Sequence, residues 1–270
     1  MYYEGLIIQT VKITSMLIML LITSILDVKY REVNPKIWLP FGFIGGTLTA
    51  YESYKLLAEG YMSLLHLTLF LLISIGITSS IMFIFSYLEL IGGADFLAIL
   101  VLSITHPWRP YPSLITVIPF FPLSILANAT LLSITPALYN MFYNLTFYNR
   151  YKETLRNVNF WKKLLIMVIG RPKSVSKYLK TKFTYLLQNF NVEDGRVSVE
   201  FKVDFKVHED PSEDRAKVSK LIEGGILRED DMLWTTEGLP MICFILGGYL
   251  LTLTLGDVLL YLLIKLIIRF

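Results

Sequence analysis

The sequence predicts an all-α polytopic membrane protein, with six transmembrane helices and a small α+β insert ahead of the last one. Three observations predict it. Apolar residues fill 54% of the 270 positions and charged residues only 17%, whereas a soluble domain carries about a quarter charged residues. The apolar residues fall in blocks, and most of the charge is gathered between Arg150 and Asp231. Several blocks approach the roughly 20 residues that a helix needs to cross about 30 Å of hydrocarbon at about 1.5 Å per residue.

Residues 6–26 form the first expected span, with Gln9 and Lys12 making its opening turns polar. No basic residue precedes it, and Asp27 and Lys29 follow it where a cleavage site would hold small residues. It is therefore expected to be retained rather than removed as a secretory signal. Residues 37–54 form the second span, and Gly42, Gly45 and Gly46 within it suit close approach of a neighbouring helix. Residues 62–88, with His66 near their start, form the third. Residues 96–104 are apolar but too short to cross alone and end at His106-Pro107. Such a segment is tolerated at membrane depth when neighbouring protein shields it from lipid. Residues 120–143, containing Pro122, Asn128 and Pro136, form the fifth, and residues 239–268, opening at Pro240, the sixth.

The expected division is a membrane part over 1–143, an insert over 144–238 and a final span over 239–270. In the insert, Val197, Val199, Phe201, Val203, Phe205 and Val207 alternate with polar residues, the pattern of a half-buried strand. Asp210 and Pro211 suit the N-cap and first position of a helix, and Gly224 suits its end. The basic run 171–182 is expected to be a solvated or lipid-facing surface, because anionic headgroups attract such segments.

Lysine and arginine near the span ends set the orientation. With the N-terminus outside, the inner flanks hold ten basic residues, among them Lys29, Arg31, Lys36 and Arg150, against five at most on the outer flanks. The expected location is the plasma membrane, with the insert in the cytoplasm. A net charge of +3 does not point to nucleic acid. The single cysteine, Cys243, excludes an internal disulfide and a cysteine-rich zinc site. It reads as a small residue packed in a membrane helix.

Ionisable groups inside or beside spans are costly and so mark candidate chemistry. Lys12, Asp27, His66, Glu89, Asp95 and Asp257 make up that set. The first span runs inward and ends at Asp27; the fourth runs outward and begins at Asp95. Both carboxylates therefore fall at the cytoplasmic edge, 68 residues apart in sequence, while Asp257 falls toward the outer face. Two carboxylates in a poorly solvated site hold a proton between them, which provides one acid and one base. Such a pair can activate water and protonate a departing amine. Gly92, Gly93 and Ala94, just before Asp95, are expected to let the backbone bend and a substrate strand come close. Glu32 and Glu89, each within seven residues of one aspartate, are candidates for holding a basic segment of substrate. The separation between the Asp27 and Asp95 carboxyls is expected to close only when substrate binds.

Two segments carry a resemblance to a known family. Residues 27–35 (Asp-Val-Lys-Tyr-Arg-Glu-Val-Asn-Pro) and 91–95 (Ile-Gly-Gly-Ala-Asp) resemble the archaeal preflagellin and prepilin peptidases, relatives of type IV prepilin peptidase. The second segment is similar to the family's Gly-x-Gly-Asp motif. Phe121-Pro122 with Asn128 and Pro136, and Trp234-Thr235 leading to Leu239-Pro240, are weaker likenesses. Ala94 stands where that motif has its second glycine, and Phe96-Leu97 replaces the Gly-Lys that often follows the aspartate. The resemblance implies an intramembrane aspartyl peptidase with Asp27 and Asp95 catalytic and water as co-substrate, needing no metal or organic cofactor. It also implies precursors of archaellins or type IV pilin-like proteins as partners, cut after a short basic leader. Methyl transfer is not implied, since the cysteine-containing domain associated with it has no counterpart here. Two rival readings are a presenilin-like protease, which would add a Pro-Ala-Leu motif absent after Asp95, and an ion- or proton-coupled transporter using Asp95 or Asp257.

Overall fold

The computed structural model describes residues 2–156, 158–193, 196–202 and 211–268. The chain divides into two compact units, one of Met1–Ser133 with Pro240–Phe270 and the other of Ile134–Leu239. Among the described residues, three helices are long and apolar enough to cross a membrane: Tyr3–Tyr30, Leu64–Tyr87 and Phe121–Thr146. Six such helices were expected, and the differences have local causes.

Helix α1 (Tyr2–Tyr30) runs four residues past the expected end of the first span. Asn34 then caps a short 3-10 turn, its side chain accepting from Lys36 N at 2.9 Å, and α2 (Trp38–Ala58) follows. Helices α3 (Leu64–Leu71) and α4 (Thr78–Tyr87) are continuous through a π-helical turn at Leu72–Ile77. Helix α5 (Gly93–Thr105) is only 13 residues long, about 20 Å at the α-helical rise. It is buried on most of its circumference among α1, α2, α4 and α6 (Phe121–Ser133), as an incomplete span must be. The close approach expected from the glycines falls at Gly45, where a Cβ would collide with the Thr105 side chain. Thr49 Oγ1 donates to Thr105 O at 2.8 Å one turn on.

The second unit opens with α7 (Thr135–Thr146), separated from α6 by Ile134. Pro136, in the first turn of α7, has no N–H to continue the ladder, which accounts for the break. Helices α8 (Tyr148–Tyr151) and α9 (Phe160–Ile169) lead into β1 (Arg171–Ser174) and α10 (Val175–Lys180). Next come β2 (Thr184–Leu186), β3 (Gln188–Glu193), β4 (Arg196–Phe201), α11 (Pro211–Glu223) and β5 (Met232–Glu237). Strand β5 is central in an antiparallel sheet of order β1-β5-β2, while β3 and β4 form a hairpin. Trp234 anchors this unit: buried against Tyr151, Leu155 and Met167, it donates Nε1–H to Thr154 Oγ1 at 2.8 Å. The expected strand is thus present as β4, but Val203, Phe205 and Val207 lie outside the described residues, as does Asp210. Helix α11 ends one residue before Gly224, and the left-handed turn that follows falls on Gly225.

Helices α12 (Met241–Thr254) and α13 (Val258–Ile268) return to the first unit and correct the expectation of one span over 239–268. Gly256, at φ 95°, turns the chain between them, and its missing Cβ admits Ile115 O. Asp257 sits in this break rather than within a helix. Its Oδ2 accepts from Val117 N at 2.6 Å and Ile118 N at 3.0 Å, and its Oδ1 pairs with Arg109. Asn128 Nδ2 donates to Gly256 O at 2.7 Å and fixes the turn from α6. The Cys243 thiol lies along α1, against Ser24 O.

Candidate active site

Three helix ends meet around the two sequence-singled aspartates. Asp27 lies in the last turn of α1, half-buried, and its Oδ2 accepts from Ile242 N at 3.3 Å. Ile242 is in the first turn of α12, whose N-cap is Pro240 and has no capping side chain. The Asp27 carboxylate therefore serves as an acceptor for a helix N-terminus 215 residues away in sequence. Asp95 is the third residue of α5, and only 8% of it is exposed. Its Oδ2 accepts from Gly92 N at 3.0 Å and so caps its own helix. The two carboxyls interact electrostatically, and Arg31 acts on both. Among the described residues no hydrogen bond joins one carboxyl directly to the other.

The turns that deliver these groups are set by non-glycine residues. Arg31, at φ 58°, terminates α1, and Glu89, at φ 57°, terminates α4. At Glu89 the chain closes with Leu90 N on Phe85 O at 2.9 Å and Glu89 N on Ser86 O at 3.1 Å, a Schellman pattern that places Glu89 where glycine is the usual choice. Each left-handed residue carries a cost of about 1 kcal/mol, of the kind that gathers at functional sites.

Gly92 has ordinary extended angles, φ −73° and ψ 152°, so backbone freedom is not the reason for a glycine there. A Cβ at Gly92 would stand 3.3 Å from Asp95 Oδ2, and its absence lets the carboxylate lie against the turn. At Gly93 a Cβ would meet nothing within 4 Å. Ala94 is half-buried against the helical core. Glu32 and Glu89 are both exposed. His66 is exposed, and its backbone N–H is capped by Ser63. Lys12 is paired with Glu52 at 2.6 Å, and His106 with Tyr249 at 3.1 Å. Lys12 and His106 thus have partners within the packing, and neither they nor His66 is gathered with the aspartates.

Sequence reasoning missed Arg31 and the Ile242 N–H. The four-residue spacing from Asp27 to Arg31 was a readable signal, since such spacing places two side chains on one helical face. A helix opening at Pro240 without a capping side chain was a weaker one.

Comparison with known proteins bears on this geometry. Residues 14–138 match the model of the "Type IV leader peptidase family", and residues 162–258 match that of "Archaeal Peptidase A24 C-terminus Type II". The preflagellin peptidase of Methanococcus voltae is 26% identical over 246 residues, covering 88% of this chain and 92% of that one. The chain is similar to leader peptidases over most of its length. It is a peptidase and a membrane protein, and the presenilin-like and transporter readings are not favoured. Asp27, Arg31 and Asp95 all fall inside the first matched segment, and Ile242 in the second. Within a leader peptidase, Asp257 needs no ion-carrying role, because Arg109 and two backbone N–H groups already account for it.

Proposed function

We propose that this leader peptidase is an aspartic endopeptidase in which Asp27 and Asp95 together hydrolyse the bond between a short basic leader and the apolar helix that follows it. Its substrates are precursors of archaellins or type IV pilin-like proteins. The observation that supports this most is the meeting of two carboxyls, one of them buried, at the ends of three helices, within electrostatic reach of each other and of Arg31. In this reading the enzyme is multi-pass in the plasma membrane with its N-terminus outside. The aspartates sit at the cytoplasmic edge, and residues 144–238 lie in the cytoplasm.

The chemistry follows from one proton held between two carboxyls. The ionised carboxylate takes a proton from water as the oxygen attacks the scissile carbonyl. The protonated carboxyl hydrogen-bonds the carbonyl oxygen as negative charge develops there. As the tetrahedral intermediate collapses, a carboxyl proton passes to the amide nitrogen, the C–N bond breaks, and the amine leaves. Gly93, with open space where a side chain would stand, gives an extended substrate strand room to pass Asp95. Glu32 and Glu89 add negative charge at the mouth for the basic leader.

The test is cleavage of a purified precursor by the Asp27→Asn and Asp95→Asn proteins in detergent. Each is expected to lose more than about a thousandfold in rate while remaining folded. Full activity in either variant overturns the assignment.

A further inference from the structure

The second unit holds an open cleft of about 820 Å³ that the peptidase chemistry does not use. Arg150, Arg171, Lys173, Lys177, Lys180 and Tyr143 line it. The wall is built by a specific set of contacts. Buried Asn144 of α7 donates to Met167 O at 2.8 Å and Gly170 O at 2.7 Å, fixing the end of α9. The next residue, Arg171, is thereby laid across α7, with its guanidinium 5.2 Å from the Tyr139 ring and 5.8 Å from the Tyr143 ring. Stacking of this kind holds a guanidinium in place while leaving its N–H edge free to donate.

The charge does not balance. Two carboxylates, Asp230 and Glu237, face five cations. Glu237 is already engaged by Lys173 at 2.7 Å and Arg171 at 3.4 Å, and Lys173 above all holds its carboxyl below the usual range. Among the described residues, no carboxylate pairs with Arg150, Lys177 or Lys180. A concave site with surplus cationic donors and an aromatic wall suits an anion with several acceptor oxygens. The helices beside it suit a membrane surface: α7 exposes Phe142 and Leu145, and α9 exposes Phe160 and Trp161.

We propose that this cleft binds a phosphate-bearing anion, with the phosphodiester of an anionic membrane lipid as the source its surroundings favour. A basic leader would be repelled from it, so the site is separate from substrate capture. Bound lipid would hold the second unit at the headgroup layer through ionic contacts rather than through apolar insertion alone.

The full-length protein in detergent is titrated calorimetrically with three probes: dihexanoyl phosphatidylglycerol, dihexanoyl phosphatidylcholine and inorganic phosphate. The variant is Lys177→Glu with Lys180→Glu, both exposed. The charge-matched control is Lys217→Glu with Lys220→Glu on α11. Unchanged melting temperature and leader cleavage establish that both proteins are folded. Phosphatidylglycerol is expected to bind the parent, and to bind the cleft variant at least about tenfold more weakly, with the control within about twofold. Phosphatidylcholine is expected to bind no tighter to the parent than to the variant. Inorganic phosphate binding with the same loss on reversal, in place of the lipid, would support the site and assign free phosphate as its source. Failure of both anions to bind the parent, or equal weakening in cleft variant and control, overturns the proposal.

Discussion

Replacing Asp95 by asparagine and by alanine should damage catalysis alike and stability differently. The Asp95 carboxylate has two separable roles in this structure. It is one half of the proposed dyad, and it caps α5 by accepting from Gly92 N at 3.0 Å. Asparagine keeps an oxygen at the same position, so the cap survives, and the neutral amide also removes the like-charge interaction with Asp27. Alanine removes the acceptor and leaves the part-buried Gly92 N–H without it. Loss of a capping side chain costs about 1 kcal/mol, or roughly 2–4 °C in melting temperature for a chain of this size. Both variants are measured for leader cleavage under single-turnover conditions and for thermal unfolding in the same detergent. Both should be inactive, Asp95→Asn should melt at or above the parent temperature, and Asp95→Ala should melt below it. An asparagine variant as destabilised as the alanine variant would refute the capping argument. An active one would refute the chemistry.

Three further outcomes are expected. Gly45→Ala should destabilise by about 1–3 kcal/mol, because the new Cβ meets Thr105, and unfolding of the double variant with Thr105→Ala should recover part of the loss. Asp257→Asn should cost about 3 kcal/mol by leaving Arg109 without its counter-charge, yet the fraction that remains folded should cleave at near the parent rate in a precursor assay. Charge reversal at Glu32 or Glu89 should raise KM for basic leaders and spare neutral ones, with kcat unchanged; equal effects on both substrates would remove the electrostatic reading.

What could be read from sequence was what depends on length and local pattern. The long apolar helices, the strand at 196–201 and the helix opening at Pro211 announced themselves through composition and period. The break at Gly256 did not, because its cause is distant: Asp257 is held by Arg109, 148 residues earlier in the chain. Without knowledge of that pair, 239–268 reads as one continuous span. The reason for Gly92 was likewise hidden, since it lies in the nearness of Asp95 Oδ2 and not in the backbone angles. Asp27 and Asp95 were legible as neighbours, though not as catalysts, through the parity of the helices that carry them. The first turn of α12 was not, because a backbone N–H has no composition to betray it, and Arg31 was passed over although its four-residue spacing from Asp27 carried a signal.

The most direct measurement of whether Asp27 and Asp95 act as one unit is a kinetic cycle of Asp27→Asn, Asp95→Asn and the double variant on one precursor. A shared proton predicts that each single variant falls to the same floor, and that the double variant falls no further within about threefold. Losses that multiply in the double variant, or full activity in either single one, would contradict a common site.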